Sequence, residues 1–193
     1  MNAVLFDLFG VFLKPRTETE RIRVENAVGA DARIWPIYEE LRPAYDRGDI
    51  GDERFWRQLQ VRAGLEPLDI YEAVVADWAT SIEANPEMVE LIDSLDDADI
   101  CAGVLANIPL GLAKKVRAKH RWLDYFDAVV FSCDIGVIKP DPRMYAVAVD
   151  AMGVHAKDII YFSDNPRNVL AAQEAGLQAI LFTGPDSVRS ALA

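Results

Sequence analysis

Apolar residues run along this chain in two rhythms. Short apolar runs at residues 3–6, 100–105, 128–131, 158–162 and 178–182 have the length of strands buried on both faces. Helical patterns precede and follow the later ones. Pro109, Pro142 and Pro166 stand where a first helical residue belongs, with Asp141 and Asn165 as N-caps before the latter two. Proline suits a first turn, whose N–H groups have no helical partner. The alternation predicts an α/β chain built on a parallel sheet with helices on both faces.

One long interval departs from this rhythm. Between Lys14 and Ile82 only helical patterns occur: Ile34, Tyr38, Leu41 and Tyr45 recur at helical spacing, as do Phe55 and Leu59, with Gly48 and Gly51 as breakers between them. The predicted organisation is a core from residues 1–13 and 83–193, with a helical module from 14–82 inserted just after the first strand. A module at that point would lie as a lid over the strand's carboxyl end.

At 193 residues the chain is long enough for one core plus a small insertion. A formal charge of −11 argues against DNA or RNA as a partner. It does not argue against a small anionic substrate, because a bound cation can dominate one pocket. No apolar run reaches membrane-spanning length. The N-terminal apolar stretch lacks a basic flank and is interrupted by Asp7, unlike a signal peptide. Cys101 and Cys133 each fall in or beside a predicted strand and read as reduced packing residues. These features predict a cytoplasmic protein with a small-molecule ligand and no membrane or nucleic-acid partner; nothing in them specifies an oligomeric state.

In an open parallel sheet, ligands bind outside the carboxyl ends of the strands. Asp7 closes the first run here and Ala106-Asn107 the second. Gly136-Val137-Ile138-Lys139-Pro140-Asp141-Pro142 follows the third, and Ser163-Asp164-Asn165-Pro166 closes the fourth. Two carboxylates drawn together in this way repel unless one is protonated or a cation lies between them. A hard divalent ion, Mg²⁺ above all, suits such oxygen ligands and would also hold a phosphate. Each residue alone has a plainer reading: Asp7 as a solvated strand end, Asp164 as support for the next helix start, Lys139 as a surface lysine, Asn107 as a turn former.

In order and together, with the runs Lys139-Pro140-Asp141-Pro142 and Asp164-Asn165-Pro166-Arg167-Asn168, these pieces resemble the haloacid dehalogenase-like hydrolase superfamily over nearly the whole chain. The resemblance implies a Rossmann-like core with an α-helical cap inserted after the first motif. It implies Asp7 as nucleophile, forming an aspartyl-phosphate with a small phosphorylated substrate, and Lys139 steadying the nucleophile and the transferred group. It also implies Mg²⁺ held by Asp7, Asp164 and the backbone carbonyl of Phe9. The backbone of Ala106, with Asn107, would meet the substrate, and Ser163, Asn165 and Asn168 are further candidates.

The departures from the superfamily's phosphatases carry as much information. Phe9 stands where those enzymes place an aspartate acting as general acid and base. Ala106 replaces a Ser or Thr whose hydroxyl bonds the phosphoryl oxygen, and Ser163 replaces the first of an acidic pair. A missing general acid costs roughly 10²–10⁴ in rate, and a missing oxyanion donor roughly 10²–10³. The expectation is a slow or substrate-restricted Mg²⁺-dependent phosphatase. A catalytically degenerate binding protein is second. A 2-haloacid dehalogenase is third: Phe9, Asn107 and Ser163 would match that branch, but Ala106 and Asn168 would not, and Asp164 would repel a carboxylate substrate.

The inserted module contributes no readable motif. Trp35, Tyr38, Tyr45, Phe55 and Trp56 read as helix-packing residues, and Arg42, Arg47 and Arg54 as residues of solvated faces, one of which could reach a phosphate. His120 and His155 fall near predicted helix ends and receive no catalytic role.

Overall fold

The computed structural model describes residues 3–98 and 100–192. The chain opens with β1 (Ala3–Asp7), passes through α1 (Glu18–Ala27), α2 (Ile34–Asp46), α3 (Asp52–Ala63) and α4 (Ile70–Ala79), and then alternates. The alternating part runs α5 (Pro86–Asp97), β2 (Ala102–Ala106), α6 (Leu110–Lys119), β3 (Ala128–Phe131), the short α7 (Ser132–Ile135), α8 (Pro142–Met152), β4 (Ile159–Ser163), α9 (Pro166–Glu174), β5 (Gln178–Leu181) and α10 (Pro185–Leu192). The five strands form one parallel sheet in the order β3-β2-β1-β4-β5.

This order places β1 at the centre, with the chain crossing to its other side between β3 and β4. Such a reversal leaves a crevice at the carboxyl ends of the central strands. Residues alternate between the faces of a strand. Val4, Phe6, Val104, Ile160 and Phe162 therefore pack under α5, α6 and α10. Leu5, Leu105, Val130 and Tyr161 pack under α8 and α9. Fully burying such side chains stabilises by about 1.5–3 kcal/mol each.

The predicted strands shift at their ends. Ile100 and Cys101 precede β2, Asp158 belongs to a short 3₁₀ turn, and Phe182 follows β5. Pro142 and Pro166 begin α8 and α9, with the side chains of Asp141 and Asn165 accepting from the N–H groups of Arg143 and Arg167. Pro109 is the N-cap of α6 rather than its first residue, because α6 begins at Leu110. Both cysteines are free and half-buried.

α1 through α4 build their own apolar cluster, centred on Tyr38, Tyr45, Phe55, Trp56 and Leu59. The face of α2 carrying Ile34, Tyr38, Leu41 and Tyr45 is the buried one, as its spacing predicts. The two links to the sheet run side by side. Lys14 N donates to Glu83 O at 2.9 Å and Asn85 N to Phe12 O at 2.8 Å. Arg16 ties them further, bonding Thr80 Oγ1 at 2.8 Å and the buried Asp77 carboxylate at 2.6 Å.

Candidate active site

Asp7 ends the central strand, paired with Leu105 on one side, while Phe6 pairs with Phe162 on the other. That register sets Ser163 beside Asp7. Because 5 and 7, like 161 and 163, alternate to one face, Asp7 lies over Tyr161 and Ser163. Asp7 is 5% exposed. Its Oδ2 accepts from Ser163 Oγ at 2.8 Å, Asn168 Nδ2 at 3.2 Å and Tyr161 OH at 3.3 Å. Its Oδ1 accepts from Leu8 N at 2.9 Å and meets Lys139 Nζ at 2.5 Å.

Lys139 is buried with it, at 4% exposure. An ion pair taken out of water persists only where further hydrogen bonds satisfy both charges. Here Lys139 Nζ also donates to Leu105 O at 2.9 Å and to Tyr161 OH at 3.4 Å. The lysine's own peptide is gripped by Asn107, whose Oδ1 accepts from Lys139 N at 2.8 Å and whose Nδ2 donates to Lys139 O at 3.0 Å. The amide that follows β2 thus does more than shape a turn: it fixes the residue opposite the carboxylate.

Asp164, an exposed residue, borders the crevice from the turn after β4. Partial loss of water around its carboxyl, with the facing charge of Asp7, pushes it above the ordinary range, and Lys139 opposes the shift. Its carboxylate nests against Gly10, where an added Cβ would lie 1.9 Å from Oδ2. An acid held beside a second acid, in a cradle that any side chain would fill, fits a hard cation. Among the described residues no trio of acidic, His or Cys side chains could enclose a metal. An ion would therefore complete its shell from backbone oxygen and water, as Mg²⁺ commonly does. Asp7 is the crowded member of the set: a carboxylate offers about four acceptor sites, and the longest of its present bonds, from Tyr161, is the one to yield.

A cavity of about 400 Å³ opens above these groups. Asp7, Lys139, Asp164, Asn107, Asn165 and Asn168 border it from the sheet. Phe9 borders it too, its ring half-buried against the apolar core. Ala106 is fully buried at the end of β2. The opposite wall comes from the helical insertion, chiefly Arg16, Tyr38, Arg42 and Asp46.

The predicted strand-end residues are thus brought together, with Ala106 and Ser163 fully buried and outside the cavity lining. Arg42 departs from its reading as a residue of a solvated face. Its side chain is only 19% exposed, pairs with Asp46 at 2.8 Å, and donates to Tyr38 OH at 3.0 Å. Arg47 and Arg54 remain outside the cavity. Sequence reading missed Tyr161, although a hydroxyl two positions before Ser163 in an apolar strand shares its face. It also missed the stripe Tyr38, Arg42, Asp46, whose helical spacing marks a polar seam on a packed helix. His120 is buried away from the site, bonded to Ile82 O at 3.1 Å and to Trp122 Nε1 at 3.1 Å.

A family model described as haloacid dehalogenase-like hydrolase matches residues 1–176. Among curated proteins, the chain is 25% identical to the sesquiterpene phosphatase astK of Aspergillus oryzae, over 94% of this chain and 90% of that one. It is 27% identical to a phosphoglycolate phosphatase of Xanthomonas campestris, over 93% of this chain and 81% of the relative. Among solved structures, the HAD family enzyme bt-2542 of Bacteroides thetaiotaomicron aligns with a TM-score of 0.84 at 16% identity, over 100% of this chain and 98% of that one. A complex of that enzyme with magnesium and inorganic phosphate aligns at 0.78, with 18% identity and 96% of each chain covered. The L-2-haloacid dehalogenase RSc1362 aligns at 0.73 with 21% identity, over 95% of this chain and 86% of that one. No helix among the described residues is long and apolar enough to cross a membrane.

Proposed function

Because this chain belongs to the haloacid dehalogenase-like hydrolase family, we propose that it is a Mg²⁺-dependent phosphatase-like hydrolase acting through Asp7 on a small phosphorylated metabolite in the cytoplasm. The observation that carries this reading is Asp164, an acid set against Asp7 in a Gly10 cradle. That second charge favours a cation and a phosphate and disfavours the carboxylate of a haloacid. The phosphatase names of the relatives, and the magnesium and phosphate bound by a structural neighbour, support the same choice.

In this reading residues 1–13 and 83–193 form the catalytic core and 14–82 the cap. Mg²⁺, held by Asp164, the Phe9 carbonyl and an oxygen of Asp7, would neutralise the phosphate and draw charge from its oxygens. An Asp7 oxygen attacks phosphorus, the ester P–O bond breaks, and the leaving-group oxygen departs with the electron pair. Water then attacks phosphorus of the aspartyl-phosphate, releasing inorganic phosphate and restoring the carboxylate.

Lys139 holds the Asp7 carboxylate in place and would meet the charge that develops on the transferred group. Ser163 and Asn168 fix the rotation of the Asp7 carboxylate, Asn165 shapes the turn that carries Asp164, and the backbone of Ala106, with Asn107, would meet the phosphoryl group. Phe9 can neither donate nor accept a proton, so the departing oxygen is protonated by solvent. Leaving groups of low basicity are therefore favoured.

The test is hydrolysis of an activated aryl phosphate, with and without Mg²⁺, by the wild type and by Asp7→Asn. The expected result is Mg²⁺-dependent turnover that the substitution abolishes. Cation or phosphate binding with no Asp7-dependent turnover of any phosphate would instead mark a binding protein. Mg²⁺-independent halide release from a 2-haloacid would mark a dehalogenase.

A further inference from the structure

Tyr38, Arg42 and Asp46 follow one another at successive turns of α2 and form one wall of the cavity, opposite Asp7. They are held as a unit. Arg42 Nε donates to Asp46 Oδ2 at 3.2 Å and Nη1 to Tyr38 OH at 3.0 Å. Tyr38 OH in turn donates to Asp77 Oδ1 at 2.8 Å, the carboxylate that anchors Arg16. The base of the wall is tied to the sheet. Ser132 Oγ, fully buried, donates to Asp46 O at 2.5 Å and accepts from Ile108 N at 2.9 Å. The wall is thus tied to Ile108, the neighbour in sequence of Asn107, whose side chain grips the Lys139 peptide.

The cavity wall has no spare positive charge. Among Lys14, Arg16 and Arg42, the first two are paired with Glu83 and Asp77 and the third with Asp46, and Glu39 adds a further acid. The strand ends contribute Lys139 against Asp7 and Asp164, an excess of one negative charge. A divalent cation and a phosphate dianion would cancel each other, so a second anionic group on the substrate would stand uncompensated in a protein of formal charge −11. An apolar leaving group would instead strip water from the Arg42–Asp46 pair and offer it no hydrogen bonds, which is costly for polar groups. A neutral hydroxyl both donates and accepts, and can meet guanidinium and carboxylate together.

We infer, resting on the phosphatase reading above, that the Tyr38–Arg42–Asp46 seam is the leaving-group subsite and that it selects a neutral, polyhydroxylated leaving group. The substrate class is then a monophosphate of a polyol or sugar, with Arg42 as the specificity-determining residue.

The experiment has two arms on the Mg²⁺-loaded protein. In the first, kcat and KM are measured for a polyol phosphate, a carboxylated phosphate, a long-chain alkyl phosphate and an aryl phosphate. In the second, binding of the matching non-hydrolysable phosphonates is measured by calorimetry. The polyol compound is expected to lead the carboxylated and alkyl ones by about tenfold or more in both arms. Arg42→Ala should lower the polyol-to-aryl ratio of kcat/KM about tenfold, chiefly through KM, and Arg42→Lys should recover only part, lacking the planar fork. Preference for the carboxylated or alkyl compound in either arm overturns the inference. So does an equal effect of Arg42→Ala on polyol and aryl substrates, the mark of a purely structural residue. Absence of all turnover with polyol-selective, Arg42-dependent binding would sink the phosphatase reading and leave the subsite standing.

Discussion

Gly10 and Asp164 interlock: a Cβ on the glycine would fall 1.9 Å from Asp164 Oδ2. Gly10 also sits at φ +76°, where other residues are strained. The turn after the first strand and the acid after the fourth therefore specify each other. Gly10→Ala is expected to cost about 1–3 kcal/mol, read from urea unfolding. Mg²⁺ is expected to raise the Tm of the wild type, and Gly10→Ala should abolish that rise by displacing Asp164. An undiminished Mg²⁺ response in Gly10→Ala would contradict the placement of the cation at this carboxylate.

The Lys139–Asp7 pair is buried on both sides, so losing one partner strands the other. Lys139→Met should cost about 3–5 kcal/mol of unfolding free energy. The double variant Lys139→Met, Asp7→Asn should be less destabilised than the sum of the single ones, because no uncompensated charge remains. Strict additivity in chemical denaturation would show that the two charges do not depend on each other.

The lost proton transfer can be tested by restoring it. Phe9→Asp with Ala106→Ser should raise kcat on alkyl phosphates by about tenfold or more, and change aryl phosphate turnover much less, since an acidic leaving group needs little protonation. No gain on either substrate would mean that the new carboxyl, on a backbone that now packs Phe9 half against the core, cannot reach the leaving oxygen.

His120 supplies a pH dependence remote from the chemistry. Its Nδ1 accepts from Trp122 Nε1 and its Nε2 faces Ile82 O, so the neutral ring suits both bonds. Burial holds its ionisation below the ordinary value of 6.5. A depressed histidine contributes stability that is present above the unfolded-state value and lost as pH falls through the folded one. Wild-type stability should therefore fall from pH 7.5 to pH 5 more steeply than that of His120→Asn. Parallel urea midpoints for the two proteins over that range would refute this.

Much of this architecture is legible in the amino-acid order. Strand-length apolar runs alternating with helical patterns, and proline at Pro142 and Pro166, are local features whose physics acts within a few residues. They predict the parallel sheet and the helical insertion, and topology then gathers Asp7, Lys139 and Asp164 at the strand ends. The element ends at Ile100, Asp158 and Phe182 slipped by one or two residues, because hydrogen-bond pairing with the neighbouring strand, rather than apolar content, decides where a strand stops.

The tertiary structure alone decided which partners each group found. Tyr161 reads as one more apolar strand residue until the register of β4 against β1 puts its hydroxyl 3.3 Å from Asp7. Arg42 reads as a solvated arginine until the insertion folds over the sheet and buries it beside Asp46. Asn107 grips the Lys139 peptide across a separation in sequence that no local pattern encodes. Propensity and periodicity determine elements because they are properties of neighbours along the chain. Burial and charge pairing in the site belong to groups brought together only when those elements pack.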